Sequence, residues 1–305
     1  MPPRGSSEFE VLQRLAGLVR TPHASPLVLG IGDDCAAYRS SREDLLFTTD
    51  MLIEDVHFRR DTHSAEAAGR KALVRGLSDI AAMGGEPRFC LLSLAVPEWA
   101  DKKWTDGFWR GFLRLAAETG TALAGGDLAR AARLYCDVTV CGAVPKGKAV
   151  LRSGARPGDR IYVSGALGGS ALGLAAGKGP AWKRHLAPEP RLALGKFLRE
   201  RLRATAMMDL SDGLSIDLHR MCRASMLAAE IHAPPRFPKA TLEQALHGGE
   251  DYELLFTLKP GVAAPQEFQG VPLTEIGIMR PGKPGLVKLD RRPLEPLGFD
   301  HFRPS

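Results

Sequence analysis

Aspartates that follow short apolar segments constrain the fold and the chemistry of this chain more than any other feature. Asp33 and Asp34 follow the segment LGI, Asp50 follows FTT, and Asp127 follows AGG. Carboxylates that meet at strand ends repel one another unless a cation lies among them, and Asp, Thr hydroxyls and water are oxygen ligands that Mg²⁺ prefers. A turn or a helix N-cap is the ordinary explanation for any single Asp. Together, these positions favour a metal site.

The length and the order of the predicted elements indicate two domains. The chain has 305 residues, about twice the usual length of one domain. Apolar strands alternate with amphipathic helices in both halves, which is typical of an α/β or α+β fold. We expect the boundary at the segment PKGK, between a domain of residues 1–147 and a domain of residues 148–305.

The predicted elements follow from apolar periodicity and from helix caps. We expect strands at 27–31, 45–49, 89–96, 122–124, 134–144, 160–164, 252–258 and 273–278. We expect helices from the capping box at Ser7 to Val19, over 73–81 with a stop at the glycines of 84–85, over 104–115, over 190–203, and directly after Gly213.

Composition excludes several classes of protein. Lys and Arg number 41 against 35 Asp and Glu, a net charge of +6, which suits anionic small molecules but lacks the dense basic runs of nucleic-acid binders. The five cysteines form no Cys-x-x-Cys pair, so we expect reduced thiols. The longest apolar run, 89–97, is too short to span a membrane, and the N-terminus has no apolar signal segment. These features predict a cytoplasmic, soluble protein that binds neither nucleic acid nor membranes.

Other acidic positions have two interpretations each. Asp79 lies inside a predicted helix, where it could simply pair with Arg75 one turn earlier. Asp209 and Asp212 precede a helix and could be N-caps or could meet a metal or a phosphate. The segment GGEDYE of 248–253 could bring a ligand to its backbone amides or could form a plain hairpin.

Familiar nucleotide and hydrolase motifs are incomplete in this sequence. The segments GAVPKGK and GIMRPGK fit the start of a P-loop, but Ala149 and Pro284 replace the Ser or Thr that would hold Mg²⁺. Neither G-x-S-x-G nor H-E-x-x-H occurs. His57 is the histidine nearest an acidic cluster, although an isolated histidine is usually an ordinary polar residue. A nucleotide site would therefore need metal-bridged phosphates, glycine-rich turns and scattered arginines.

Nine segments occur in order along the chain: GIGDD at 30–34, TTD at 48–50, DVHF at 55–58, LSDIAAMG at 77–84, GGD at 125–127, RSG at 152–154, DLSDG at 209–213, GGEDYEL at 248–254 and GFDHF at 298–302. In this order they resemble the thiamine-monophosphate kinase family of the aminoimidazole-ribonucleotide-synthetase-like superfamily. The match runs from about residue 8 to residue 302. The DVHF and GFDHF segments point to this family rather than to other members of the superfamily.

The resemblance implies two α/β domains, with the N-terminal one pairing in a homodimer, and a site between the domains for ATP, several Mg²⁺ ions and thiamine monophosphate. It implies metal ligands at Asp34, Thr48, Thr49, Asp50, Asp79, Asp127, Asp209 and Asp212. It implies ATP contacts at Gly126, Asp127, Arg152 and Ser211, and substrate contacts at His57, Glu250 and Phe299.

The chain departs from the family pattern at two places. Leu128 and Ala129 follow the GGD segment where the family usually has Thr and a further Thr or Val, so a hydroxyl contact is lost there. Phe299 replaces a Tyr that is common at its position, which keeps an aromatic ring but removes a hydroxyl. We expect these changes to alter affinity at most.

The implied reaction needs no general base. The acceptor is a phosphate monoester, which is already anionic near neutral pH because its second pKa is about 6. Relief of repulsion between two polyanions and in-line placement of the γ-phosphoryl group are what the reaction requires, and clustered Mg²⁺ supplies both. Two alternatives stay open: another ATP-dependent enzyme of the superfamily, such as the cyclo-ligase of purine synthesis, and a non-enzymatic scaffold that binds metals or anions.

Overall fold

The first half of the chain is built on one mixed sheet. The computed structural model describes Glu10, Gln13 and residues 26–302. Within these residues, the strands of this sheet are Leu27–Leu29 (β1), Ala36–Arg39 (β2), Glu43–Ile53 (β3), Glu86–Val96 (β4), Ala122–Arg130 (β5) and Tyr135–Pro145 (β6). The order across the sheet is β1-β2-β3-β6-β4-β5, with β4 and β5 parallel and the other neighbours antiparallel.

The helices Ala65–Ala82 (α1) and Lys102–Thr119 (α2) cover one face of this sheet. Ser64 caps α1, because its hydroxyl accepts a hydrogen bond from a backbone N–H of the first turn. Glycine lets the two helices touch, since a Cβ at Gly69 would collide with the carbonyl oxygen of Phe108. The position of α1 is therefore fixed closely against α2.

The two faces of the first sheet differ in exposure, which is clearest on β3. Leu46 and Leu52 face the helices and are 0% exposed, whereas Met51 faces away and is 48% exposed. Because side chains alternate along a strand, Thr48 and Asp50 share the helix-covered face and Thr49 lies on the other. We call these the inner face and the outer face of the first sheet.

The second half is built on a larger sheet. Its strands, in the part of the chain that the structure describes, are Arg160–Ser164 (β7), Ala206–Asp209 (β8), Ala228–Ile231 (β9), Leu254–Leu258 (β10), Glu267–Phe268 (β11), Val271–Arg280 (β12), Val287–Leu289 (β13) and Arg292–Leu294 (β14). The strand order is β14-β13-β9-β12-β7-β10-β8, and β11 pairs with β12. Helices of this half are Gly169–Ala176 (α3), Gly179–Leu186 (α4), Leu192–Phe197 (α5), Leu214–Ala224 (α6) and Leu242–His247 (α7).

The end of α1 joins the two halves. Ala81 and Ala82 share a buried core with Leu198, Met207 and Phe256 of the second half. Helix α1 therefore packs on the first sheet along its length and on the second half at its C-terminal end. Two polar side chains of α1 also reach the second half, since Lys71 donates to Glu250 and Ser78 donates to Asp209.

Most predicted elements are present; β3, β4, β5 and β12 are longer than expected, whereas β1 and β10 are shorter. The glycine stop after α1 is confirmed by Gly84 at a φ of 69°. The predicted helix of 190–203 consists of α5 followed by the π-helical turn Leu198–Leu202. The helix predicted from Ser7 lies outside the described residues, apart from Glu10 and Gln13, which are helical. None of the helices in the described ranges is long and apolar enough to cross a bilayer.

Two expectations about strand ends are wrong. Asp50 lies inside β3, which continues to Ile53, and Asp127 lies inside β5, which continues to Arg130. The hairpin alternative for 248–253 is also wrong, because this segment links α7 to β10 without forming strands. Polar residues at 48–50 resembled a strand end because they interrupt the apolar pattern, although the backbone pairing with β6 runs on through them.

Candidate active site

Three carboxylates meet at the junction of the two halves. Asp34 follows β1, Asp79 lies in the last turns of α1, and Asp209 ends β8. Their carboxylate oxygens lie within 4.8 Å of one another. The chain thus brings together acids that are separated by up to more than half of its length.

Burial and mutual repulsion disfavour the charged forms of this cluster. The pKa of Asp79 is raised well above its ordinary value, first by burial and then by the charges of Asp50, Asp209 and Asp34. Burial, followed by the charge of Asp34, likewise raises the pKa of Asp209. Hydroxyl groups soften this effect, since Thr48 donates to Asp79 and the Ser78 hydroxyl donates to Asp209 at 2.7 Å.

The donor set fits a hard divalent cation. Its ligand atoms are carboxylate oxygens with adjacent hydroxyls, which Mg²⁺ prefers, and a cation would remove the repulsion that raises the pKa values. Within the described residues, no salt bridge forms to Asp79 or Asp209. Arg152 donates to both oxygens of Asp34, at 2.9 and 2.8 Å, but each carboxylate oxygen has a second lone pair to offer.

The alternative roles for the aspartates are wrong in this structure. Arg75 does not pair with Asp79; it lies 3.3 Å from Asp50 instead. Helix α6 has Gly213 at its N-cap and no side-chain cap bond, so neither Asp209 nor Asp212 caps it. Neither aspartate side chain is therefore used to cap the helix.

A cavity of about 300 Å³ lies beside the carboxylate cluster. Polar residues predicted for the site line it from both halves: Asp50, His57, Asp79, Asp209, Ser211, Asp212 and Glu250. Apolar and aromatic side chains complete it: Val56, Ala171, Leu174, Tyr252 and Phe299. A cavity lined by both acids and apolar side chains can hold a ligand that carries both a phosphate group and a ring system.

His57 is held as a neutral ring at this cavity. Its Nδ1 accepts a hydrogen bond of 3.0 Å from the backbone N–H of Ile53, so the neutral ring carries its proton on Nε2. Burial first, and the charge of Arg75 second, lower its pKa to about 3. His301 packs edge-on against it, with the ring centroids 5.1 Å apart, and Phe299 packs edge-on against His301 at 4.7 Å.

Asp212 is oriented by a cation and a second acid. Arg220 pairs with Asp212 at 2.5 Å and with the fully buried Asp217 at 2.9 Å. The carboxylate of Asp217 also accepts from the backbone N–H groups of Asp212 and Gly213. Asp217 thus satisfies the amides at the start of α6 while Asp212 faces the cavity.

The glycine-rich turn after β7 is already occupied by a carboxylate. The buried side chain of Asp251 accepts hydrogen bonds from the backbone N–H groups of Gly168, at 2.5 Å, and Ser170, at 3.0 Å. Such a turn at a helix start can otherwise bind a phosphate group. Here its donors hold the 248–253 segment in place.

Three predicted site residues lie away from this cavity, on β3 and β5. Thr49 is on the outer face, where its hydroxyl donates to Asp137 at 2.8 Å. Asp127 is exposed on β5, at the edge of the first sheet. Gly126 lies beside it, and a Cβ there would collide with the backbone carbonyl of Leu92.

Sequence reasoning missed several polar residues that support the site. Lys71 and Arg75 lie on α1 at four-residue spacings before Asp79, and Ser78 directly precedes Asp79. The spacing of charges by four residues within an apolar helix was a usable signal, since such residues share one face. Arg220 had no comparable signal, because an arginine on an amphipathic helix usually faces solvent.

Comparisons with known proteins identify the family to which the chain is similar. Two family models match, AIR synthase related protein, N-terminal domain, over residues 32–144 and AIR synthase related protein, C-terminal domain, over residues 156–283. The thiamine-monophosphate kinase of Escherichia coli (strain K12) is 38% identical, with 97% of this chain and 98% of that protein covered. That of Bacillus subtilis (strain 168) is 36% identical, with 97% and 99% covered. A solved structure of AaThiL complexed with AMPPCP and TMP superposes with a TM-score of 0.86 at 32% identity, covering 97% of each chain.

Proposed function

The chain belongs to the thiamine-monophosphate kinases of the AIR synthase related family, and we propose that it transfers the γ-phosphoryl group of ATP directly to the phosphate of thiamine monophosphate. The observation that carries this proposal is the carboxylate cluster of Asp34, Asp79 and Asp209 beside a cavity with apolar walls. The relative AaThiL, which binds AMPPCP and TMP, supports the choice of both substrates.

The acidic end of the cavity would hold Mg²⁺. We assign Asp34, Asp79 and Asp209 as ligands, with Thr48, Asp50 and Asp212 beside them. When bound, several Mg²⁺ ions offset the repulsion between two phosphate-bearing substrates and the charge that develops during transfer. Arg152 and Ser211 would bind the phosphates of ATP at this end, because Arg152 donates from the Asp34 side and Ser211 lines the cavity.

The aromatic and polar side chains that line the rest of the cavity would bind the thiamine rings. Phe299 offers an aromatic face, Glu250 offers hydrogen-bond acceptors, and the neutral His57 offers an N–H donor at Nε2. These side chains position the acceptor phosphate for in-line attack and exclude water from it. No residue needs to remove a proton, since the acceptor oxygen is already anionic. We therefore propose no catalytic base.

His57 offers a test of this division of labour. Because it binds the substrate rather than the transition state, His57→Asn should raise KM for thiamine monophosphate and leave kcat within about tenfold. Steady-state kinetics of both substrates measure this. A phosphohistidine trapped with γ-labelled ATP, or ping-pong kinetics, would overturn direct transfer.

We also propose a homodimer in which the outer faces of the first sheets pack together. Met51, Leu91 and Tyr135 expose 48%, 41% and 38% of their surfaces on this face, which supports an interface. Thr49 and Asp127 could bind a metal, and Gly126 and Asp127 could bind ATP, only where the outer face or the edge of the first sheet borders a binding site.

The proposed domain boundary stays at 147/148, between the segments matched by the two family models. The proposed compartment is the cytoplasm, where ATP is available.

One coupled assay tests the proposed function. Incubation with ATP, Mg²⁺ and thiamine monophosphate should release ADP and form thiamine diphosphate in equal amounts. Formylglycinamidine ribonucleotide as the acceptor tests the cyclo-ligase alternative, and it should give no ADP. Absence of turnover with both acceptors would favour the binding scaffold.

A further inference from the structure

A fully buried lysine supports the substrate end of the cavity. Lys71 lies in the second turn of α1 and its side chain is 0% exposed. Its Nζ lies 2.9 Å from Oε1 and 2.9 Å from Oε2 of Glu250, so it contacts both oxygens of that carboxylate. A buried ammonium group is costly unless it is paired, and removal of one partner of such a pair leaves an uncompensated charge. The pair also crosses between the two halves of the chain.

Glu250 depends on this pairing for its charge and its orientation. It lies in the segment between α7 and β10 with a φ of 64°, and its side chain is 25% exposed where it lines the cavity. Burial raises the pKa of Glu250, but the positive charges around it, Lys71 foremost, outweigh burial, so its pKa lies below the ordinary value. The carboxylate is therefore ionised, and two contacts from one ammonium group fix its plane.

Neutral aromatic side chains surround the pair. The Nδ1 of His185 lies 3.6 Å from Glu250 and 2.8 Å from the hydroxyl of Ser170. His63 packs against His185 with the ring centroids 5.4 Å apart. Burial, the largest effect for both rings, lowers the pKa of each histidine to about 4. Both rings are neutral at pH 7, so they enclose the pair without adding charge.

The charge balance decides what Glu250 can recognise. With Lys71 at 2.9 Å the pair is neutral overall, which cancels most of the attraction of the carboxylate for the permanently cationic thiazolium ring. The carboxylate still has lone pairs beyond those that Lys71 uses. It can therefore accept a hydrogen bond from a neutral donor, and thiamine carries such a donor in the amino group of its pyrimidine ring.

We propose that Lys71 is a positioning residue that orients Glu250 to accept a hydrogen bond from the pyrimidine amino group of thiamine monophosphate. This inference rests on the proposed function. It assigns Lys71 a role in substrate affinity that acts only through Glu250, and it assigns Glu250 to the pyrimidine rather than to the thiazolium ring.

Three variants of the full chain test the role of Lys71. Lys71→Met and Glu250→Gln should each raise KM for thiamine monophosphate about tenfold or more, with KM for ATP within about twofold. The double variant should have the KM of Glu250→Gln alone, because Lys71 acts only through that carboxylate. It should also regain thermal stability relative to Lys71→Met, since it buries no unpaired charge. An unchanged KM in Lys71→Met, or effects that multiply in the double variant, would overturn the proposal.

A matched control separates positioning from general stability. Arg191 pairs with the buried Glu253 at 2.6 Å, so Arg191→Met also breaks an interior ion pair of the same segment. We expect it to lower the melting temperature and to leave KM for thiamine monophosphate unchanged. An equal rise in KM in this control would assign the Lys71 effect to loosening of the segment and would refute the positioning role.

A substrate analogue tests the choice of group. The analogue of thiamine monophosphate with a hydrogen atom in place of the pyrimidine amino group has no donor at that position. Its KM should be at least about tenfold higher than that of thiamine monophosphate for the unmodified enzyme, and nearly equal to it for Lys71→Met. An undiminished disadvantage in Lys71→Met would show that Glu250 does not contact the amino group. Failure of the unmodified enzyme to form thiamine diphosphate at all would instead refute the proposed function, so the two failures are distinguishable.

Discussion

The inner and outer faces of the first sheet differ in what the side chains of one strand, β3, contact. On β3, Thr48 and Asp50 face inward beside α1, where Thr48 donates to Asp79 and Asp50 lines the cavity. Thr49, between them, faces outward and donates to Asp137. Three consecutive residues of one motif thus divide between a site inside the chain and an exposed surface.

This difference shows that consecutive residues of a sequence motif can lie on opposite faces of a sheet, because side chains alternate along a strand. The inner face is mostly a packed core, with polar side chains beside the cavity and an ion pair of the buried Asp44 with Arg39 at the other end of β3. The outer face mixes hydroxyls and acids with exposed apolar side chains such as Met51 and Leu91. The β3 residues that border the candidate site therefore lie on the inner face, and the outer face is the one that we propose to contact a second copy.

Loss of an inner carboxylate is the largest expected effect. Asp79→Asn and Asp50→Asn should each lower kcat by at least about 100-fold at saturating Mg²⁺, because a neutral amide cannot balance the metal between phosphates. Asp79→Asn should keep or raise the melting temperature, since it removes a repelled buried charge. Coupled kinetics and thermal unfolding measure both, and near-normal activity would contradict the metal assignment.

The outer face is tested by a charge placed at its centre. Leu91→Lys on β4 should shift the proposed homodimer towards monomer, because an ammonium group would be buried without a partner at the interface. Sedimentation at micromolar concentration measures the change, with the outward substitution Lys102→Ala on α2 as the control. A monomeric parent protein with full activity would contradict the dimer.

The next effect is a dependence of the free energy of unfolding on pH that comes from the buried His63. The folded state lowers the pKa of the buried His63 from 6.5 to about 4, so between these values the unfolded state binds more protons. The contribution of His63 to the free energy of unfolding is therefore constant above pH 6.5. It declines as the pH falls, by about 2 kcal/mol at pH 5.

Replacement of His63 isolates this contribution. His63→Asn should show a loss of unfolding free energy between pH 7.5 and pH 5 that is smaller by about 2 kcal/mol than that of the parent protein. Denaturant unfolding at both pH values measures it. The charged groups around His63 are Lys71, Glu250 and Asp61, and all of them remain in the variant. The same pH dependence in both proteins would refute the neutral histidine.

The smallest effect compares neighbouring threonines directly. Thr48→Val should lower kcat about tenfold because it removes the hydroxyl that donates to Asp79. Thr49→Val, which removes the hydroxyl bonded to Asp137, should change kcat by less than about twofold. Parallel kinetics of the two variants decide the matter, and equal losses would show that the outer face also borders the site.

The sequence predicts the alternation of strands and helices and names many of the residues that meet at the cavity. It does so because each helix and strand has its own periodicity and because the motifs keep their order. The sequence does not predict which distant residues come into contact. Lys71 and Glu250, for example, are 179 positions apart, and no local pattern links them. The length of β3 was also hidden, because cavity-facing Thr48 and Asp50 interrupt the apolar alternation that marks a strand.

Helix α1 fixes the spacing between two of its polar residues, Lys71 and Asp79. Lys71 and Asp79 are eight residues apart on one face, so with a rise of 1.5 Å per residue they lie about 12 Å apart along the helix axis. Close contacts hold this helix at both ends, since a Cβ at Gly69 or at Gly195 would collide with a backbone carbonyl oxygen of the neighbouring helix. The helix therefore separates the carboxylate cluster from the lysine that pairs with Glu250. Under the proposed function, we expect a ligand whose ring and phosphate are joined by a shorter chain to reach only one of these two places, so the length of the ligand would contribute to substrate choice.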